Sequence, residues 1–134
     1  MSISDPIGDM LARIKNAQKS FLISTVIPYS AQKLQILMVL KDEGYILDYS
    51  VEELRKGIKN INVELKYSKA GKPAIAVLER VSKPGRKFYS RFADLKDFFN
   101  GMGVYILSTS SHGIVSDRVA KQARIGGEVI CKVF

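Results

Sequence analysis

The sequence predicts an α+β fold, with a small α/β N-terminal lobe running α-β-α-β-β packed on a β-rich C-terminal lobe with short helices. Three observations point there. Two stretches in the first half carry apolar residues at helical spacing, each behind a capping residue. Alternating apolar and polar residues follow them, at the two-residue period of a half-buried strand. The second half then breaks into short apolar runs divided by Gly, Pro and Ser turns. A chain of 134 residues makes one domain or two small lobes, and is too short for a TIM barrel or a complete dinucleotide-binding enzyme. The lobes are expected at 1–70 and 71–134.

Residues 4–20 read as a helix. Ser4 or Asp5 caps it, Pro6 suits its first position, and Ile7, Met10, Leu11, Ile14 and Ala17 share one face. A β-rich stretch over 21–27 stops at Pro28. Ser30 caps a second helix over about 31–43, with a stripe of Leu34, Leu37, Met38 and Lys41 widened by Ile36 and Leu40. Gly44 fits the left-handed position beyond its end. Tyr45, Leu47, Tyr49 and Val51 alternate as a strand over 45–51, 54–60 reads as a polar turn, and Ile61, Val63, Leu65 and Tyr67 alternate as the next strand. Ala70-Gly71-Lys72-Pro73 is the turn at the lobe boundary.

In the second lobe a short strand is expected over 74–80, followed by the basic turn Lys83-Pro84-Gly85-Arg86. Residues 88–91 extend or re-pair a strand. Phe92, Leu95, Phe98 and Phe99 predict a short helix over 92–99, closed by Asn100-Gly101. A strand over 104–107 runs directly into Ser108-Thr109-Ser110. Ser116 or Asp117 caps a short helix reaching about Arg124, and Gly126-Gly127 turns the chain into a last strand over 128–134.

The charge is concentrated. Twenty-one Lys and Arg against thirteen Asp and Glu give a net charge of +8. Residues 55–91 hold eleven of the basic residues against Glu64 and Glu79 alone, a net of +9, and the rest of the chain is nearly neutral. A cationic patch on a folded body suits a phosphate-bearing partner, and Lys and Arg that displace counterions there make binding salt-dependent. Arg13, Lys15 and Lys19 on the first helix serve equally as a solvated rim or as RNA contacts. A basic amphipathic helix with Trp or Phe would suit a membrane surface; the basic segment here is strands and turns, and Trp is absent, so nucleic acid ranks above membrane.

Other classes are excluded residue by residue. One cysteine and one histidine make neither an intramolecular disulfide nor a structural zinc site, and Cys131 on an apolar strand reads as core. The longest apolar runs, such as 36–40, fall far short of a membrane helix. Neither a signal peptide nor a transit peptide is expected at the start. Ser110, His112 and Asp117 invite a hydrolase reading, but triads are recognised in space, and there is no nucleophile elbow. Gly101-Met102-Gly103 and Gly126-Gly127 lack the context of a nucleotide fingerprint. Asp94 and Asp97 read as a solvated face. The hydroxyl run Ser108-Thr109-Ser110 stands apart: short hydroxyls at a strand end donate and accept hydrogen bonds, which suits base edges, 2′-OH groups and phosphates. The same pattern also suits a turn that bonds its own backbone.

These residues carry a resemblance. SDPIGDMLARIKNA, LKDEGYI, RVSKPGRKFY, GMGVYILSTS, SDRVAK and IGGEVICKVF, in that order over nearly the whole chain, resemble the bacterial-type family of the eighth small-subunit ribosomal protein. The ending is similar to alphaproteobacterial and mitochondrial-type members. The resemblance implies a non-enzymatic RNA-binding protein without cofactors, working in the small ribosomal subunit in a bacterial cytoplasm or an organelle such as the mitochondrial matrix. Its implied partners are a helix in the central domain of small-subunit ribosomal RNA and neighbouring small-subunit proteins, protein five among them, with no membrane and no small-molecule substrate. Some family members also repress translation of their own mRNA. The implied RNA-binding residues are Ser108, Thr109, Ser110, Gly113, Tyr89 and Glu128. In the family pattern one residue separates the hydroxyl run from the glycine; here Ser111 and His112 both do.

The residues and the resemblance together predict a two-part interface. The hydroxyl loop with Tyr89 reads an irregular helix, and Lys83, Arg86, Lys87 and Arg91 neutralise phosphates and fix orientation. The competing reading, from another class, is a protein-interaction or assembly scaffold whose basic segment is incidental.

Overall fold

A computed structural model describes residues 5–96 and 101–134. The expected cap Ser4, the 97–99 part of the predicted 92–99 helix with Asp97, Phe98 and Phe99, and the closing Asn100 lie outside the described residues. The fold is α+β, with three α-helices and two antiparallel sheets among the described residues. It divides into Asp9–Ile75 and a second unit in which Ala76–Phe134 is joined by the first residues up to Gly8.

α1 (Pro6–Lys19), which belongs to the first unit from Asp9 onward, leads to β1 (Ser24–Pro28), α2 (Ala31–Asp42), β2 (Ile46–Arg55) and β3 (Ile58–Leu65), and the sheet order is β1-β3-β2. The predicted face of α1, Ile7, Met10, Leu11, Ile14 and Ala17, is buried. α1 then ends in an uncommon way. Phe21 adopts φ +56, its amide donates to Gln18 O at 3.1 Å, and the Leu22 amide donates to Ala17 O at 2.9 Å. This is the left-handed helix stop that glycine normally occupies; a bulky L-residue there costs roughly 1–2 kcal/mol. That stop consumes Phe21, Leu22 and Ile23, so the strand starts three residues later than the apolar run suggests.

α2 is capped as expected, with Ser30 Oγ accepting from the Lys33 amide at 3.1 Å. It closes at Gly44, φ +82, with Gly44 N–H to Lys41 O at 3.0 Å and Tyr45 N–H to Leu40 O at 2.8 Å. Its buried face is Lys33, Ile36, Leu37, Val39 and Leu40, while Met38 and Lys41 are exposed. With apolar residues at 34 and at every position over 36–40, periodicity alone could not choose the face. The predicted polar turn over 54–60 is instead two strands of a long hairpin, and the turn is only Lys56-Gly57, with Gly57 at φ +81. Both faces of that arm are exposed, which erases the alternation that would have marked it. A register shift between Ile46 and Asp48 also changes the phase, so Ile46 is buried and Leu47 is exposed.

The second unit contains β4 (Leu78–Arg80), β5 (Tyr89–Ser90), β6 (Val104–Thr109), β7 (Gly113–Ser116), α3 (Asp117–Ala123) and β8 (Gly127–Val133). β8 is its hub: the order is β4-β8-β6-β7, and β5 also pairs with β8. Leu107, Ala120 and Val129 form a buried cluster, with Val81, Leu95, Tyr105, Val115 and Ile125 packed around it. Three expectations change. β4 is shorter than 74–80, because Ala76 and Val77 both donate to the single carbonyl of Phe134 at 2.6 and 2.8 Å. Gly113–Ser116, which the sequence leaves in a glycine-containing loop between the hydroxyl run and the capped helix, is a strand. The described part of the 92–99 helix is one turn of 3-10 helix at Phe92–Asp94, after which Leu95 is extended (φ −73, ψ 116). Among the described residues no helix is long and apolar enough to cross a membrane.

Leu37→Ala should cost about 2–5 kcal/mol in urea unfolding, whereas Leu54→Ala on the exposed arm should stay within about 0.5 kcal/mol; equal costs would contradict the assignment of the core. Cys131 is completely buried and burial pushes its thiol up to about 12. A thiol-reactive aromatic disulfide at neutral pH should therefore modify it only as the chain unfolds; labelling of the native protein faster than unfolding would contradict this.

Candidate nucleic-acid interface

Backbones crowd around the start of β8. A Cβ on Gly127 would fall on the carbonyl oxygen of Ser108 and lie 3.2 Å from Thr109 Cα. A Cβ on Gly126 would fall on the carbonyl oxygen of Ser90 and lie 2.8 Å from Arg91 Cα. Neither glycine has a positive φ. The requirement here is space rather than conformation, and it lets β5 and β6 close in on β8 from either side. The register that results aligns Tyr89 with Glu128, Glu128 with Ser108 and Ser108 with Ile114. Directly opposed residues on neighbouring strands share a face, with Cβ atoms about 4.5–5.5 Å apart. Tyr89, Glu128 and Ser108 therefore form one row. Tyr89 is 67% exposed.

At the end of that row the β6–β7 hairpin turns. Thr109 Oγ1 donates to Gly113 O at 2.7 Å and accepts from the His112 amide at 3.0 Å. Thr109 is buried, so its hydroxyl holds the loop shut from inside rather than facing a partner. Gly113 takes φ +68, a conformation glycine adopts without strain. The loop residues Ser110, Ser111 and His112 are exposed, and Ser111 Oγ lies 2.8 Å from His112 Nδ1. The hairpin thus accommodates both intervening residues, with Ser108 at the row and Ser110 at the tip.

The basic turn is equally constrained. Buried Ser82 accepts from the Phe88 amide at 2.8 Å and donates to Phe88 O at 3.2 Å. Lys83 and Arg86 exchange backbone bonds of 3.0 and 2.9 Å across Pro84-Gly85. The Val129 amide donates to Phe88 O at 2.8 Å, and the Ser82 amide donates to Val129 O at 3.1 Å. Residues 83–87 therefore form a closed loop pinned to β8 beside Glu128, and Lys83, Arg86 and Lys87 are exposed on it. Arg91 is also exposed, with Nε 3.1 Å from Asp94 Oδ2. A surface pair of this kind is worth about 0–1 kcal/mol, so a phosphate can compete for the guanidinium.

No hydrolytic line forms from Ser110, His112 and Asp117. The His112 ring partners Ser111. Asp117 is buried at the start of α3 and accepts from the Arg118 amide at 3.0 Å, with burial pushing its carboxyl up. Among the described residues no three His, Cys, Asp or Glu side chains gather as metal ligands.

The family model for ribosomal protein S8 matches residues 5–134. The chain belongs to the ribosomal protein S8 family. It is 51% identical to a protein of Rhodospirillum centenum, 52% to one of Rickettsia rickettsii and 49% to one of Orientia tsutsugamushi, with both chains covered completely each time. Each of these is called small ribosomal subunit protein uS8. The S8-family chain is thus a structural, ribosomal component rather than an enzyme.

Sequence reasoning missed Ser82, whose two bonds to Phe88 brace the basic loop, and the steric role of Gly126-Gly127. A serine directly before a Lys-Pro-Gly-Arg turn and two successive glycines at a strand start were the available signals. Thr109→Val keeps the side chain's shape but removes both loop bonds. It should cost about 1–3 kcal/mol in urea unfolding, with faster exchange of the His112 amide, while Thr109→Ser should stay near the parent. A Thr109→Val variant as stable as the parent would show that the hydroxyl does not hold the loop.

Proposed function

We propose that the 71–134 lobe binds an irregular helix in the central domain of small-subunit ribosomal RNA. On this reading the chain works in the small subunit of a bacterial-type ribosome, beside neighbouring small-subunit proteins that include protein five. The observation that carries the reading is the row Tyr89–Glu128–Ser108 set against the closed basic loop, both anchored to β8. Its relatives come from bacteria and are named as small-subunit proteins, which supports the bacterial cytoplasm as the compartment.

The division of work follows from RNA geometry. The A-form major groove is too deep and narrow for side chains, so recognition falls on the shallow groove with its 2′-OH groups and on unstacked bases. Ser108 and Ser110 hydroxyls donate or accept there. The Glu128 carboxylate only accepts, so it selects a base amino group or a 2′-OH. The exposed Tyr89 ring offers a face to an unstacked base. Lys83, Arg86, Lys87 and Arg91 meet phosphates, which fixes register without reading sequence. Thr109 and Gly113 act through the loop they shape.

Filter binding over a salt series separates the two roles. Arg86→Ala should weaken the cognate helix and a mutated helix alike and reduce the salt slope by about 0.7–0.9 for one lost phosphate contact. Glu128→Gln and Ser110→Ala should leave the slope unchanged and lower discrimination between the two RNAs. The reverse pattern would overturn the division, and a stable protein complex without RNA binding at low salt would favour the scaffold reading.

A further inference from the structure

We propose that Phe21 and Tyr67 form a second RNA contact, a stacking platform for an unpaired base on the Asp9–Ile75 unit, with lysines meeting the adjacent phosphates. It lies outside the hydroxyl loop and uses none of its residues. The two rings stack, with centroids 6.2 Å apart and planes 29° from parallel. The arrangement is held in place: Tyr67 Oη donates to Leu22 O at 2.6 Å, the Leu65 amide donates to Ile23 O at 2.8 Å, and buried Gln18 donates to Lys66 O at 3.4 Å. Phe21 is nevertheless 66% exposed, with Leu22 and Ile23 beside it at 50% and 81%.

Stability does not explain this arrangement. Phe21 sits in the left-handed region, φ +56, where glycine would end the helix without strain, and its ring is not buried in return. An exposed aromatic kept in a disfavoured backbone conformation points to use of the ring. The surrounding charge indicates the partner. Lys15, Lys19, Lys66, Lys69 and Lys72 are all exposed, and neither 15–23 nor 66–73 contains an acidic residue. Aromatic rings interleaved with cations are the composition of single-strand RNA platforms, in which bases stack and phosphates are neutralised; the exposed Glu64, paired with Ser24, borders the segment. Leu22 and Ile23 supply apolar walls to the base and sugar.

The chain has no tryptophan, so Phe21→Trp places a single indole at the platform, excited at wavelengths the tyrosines do not absorb. The full chain is titrated with a short oligoadenylate, and with oligoglutamate as a second polyanion, by fluorescence and anisotropy. Oligoadenylate should quench the indole saturably, with the midpoint seen by anisotropy, and the quenching should survive in an Arg86→Ala, Lys87→Ala background. Phe21→Gly, which suits the left-handed backbone and should unfold at or above the parent's urea midpoint, should bind the oligoadenylate about tenfold more weakly. Binding without quenching, or Phe21→Gly binding as the parent does, overturns the platform and leaves the hydroxyl-loop reading untouched. Quenching by oligoglutamate in preference to oligoadenylate also overturns it and assigns the surface to an acidic protein segment.

Discussion

The organising constraint is steric, the absence of a side chain at two successive positions where β8 begins, Gly126 just before it and Gly127 its first residue. With a Cβ at Gly126 or Gly127, the carbonyls of Ser90 and Ser108 could not lie where they do. β5 would be pushed off one side of β8 and β6 off the other. The row of Tyr89, Glu128 and Ser108 exists because those two strands close on β8 in register. The basic loop depends on the same strand, because Ser82 and Phe88 both bond to Val129, the residue after Glu128. A short stretch of β8 thus holds the polar row and the cationic loop in fixed relation.

Preorganisation follows from where the hydroxyls go. Ser82 and Thr109 look alike on paper to Ser108 and Ser110, yet they are buried and bond their own backbone. Their bonds fix the loops, so that in the proposed binding the exposed groups need little ordering, which is where affinity is otherwise lost. The turn-bonding reading of the hydroxyl run holds for Thr109, which bonds Gly113 and His112; the proposed RNA contact falls to its neighbours Ser108 and Ser110.

What was legible in the sequence follows the same physics. Caps and stops were clear at Ser30 and Gly44, since each has one local cause; of the two caps offered for α3, Ser116 takes the place, its Oγ accepting from the Val119 amide. The face of α1 was clear because polar residues separate its apolar ones. The face of α2 was not, because apolar residues surround it. The β2–β3 arm read as a turn because an arm exposed on both sides carries no alternation. β7 was lost because four residues behind a glycine give too short a pattern. The cations were named from charge, the hydroxyl run from its pattern, and Tyr89, Gly113 and Glu128 from the family resemblance; the adjacency of Tyr89, Glu128 and Ser108 across β5, β8 and β6 is a long-range fact no local window contains. Gly126-Gly127 was read as a turn because a glycine chosen for close approach looks the same in sequence as one chosen for flexibility.

The most direct test adds one methyl group. Gly127→Ala should force β6 away from β8 while leaving the exposed cations of residues 83–87 in place. In the folded variant, followed by near-ultraviolet circular dichroism, the quantity to measure is the ratio of affinities for the central-domain RNA helix and a regular duplex of equal length. The account predicts that this ratio collapses by about tenfold or more, corresponding to 1–3 kcal/mol of lost readout, while duplex binding and its salt slope persist. A natively folded Gly127→Ala variant that keeps the parent's ratio would contradict it.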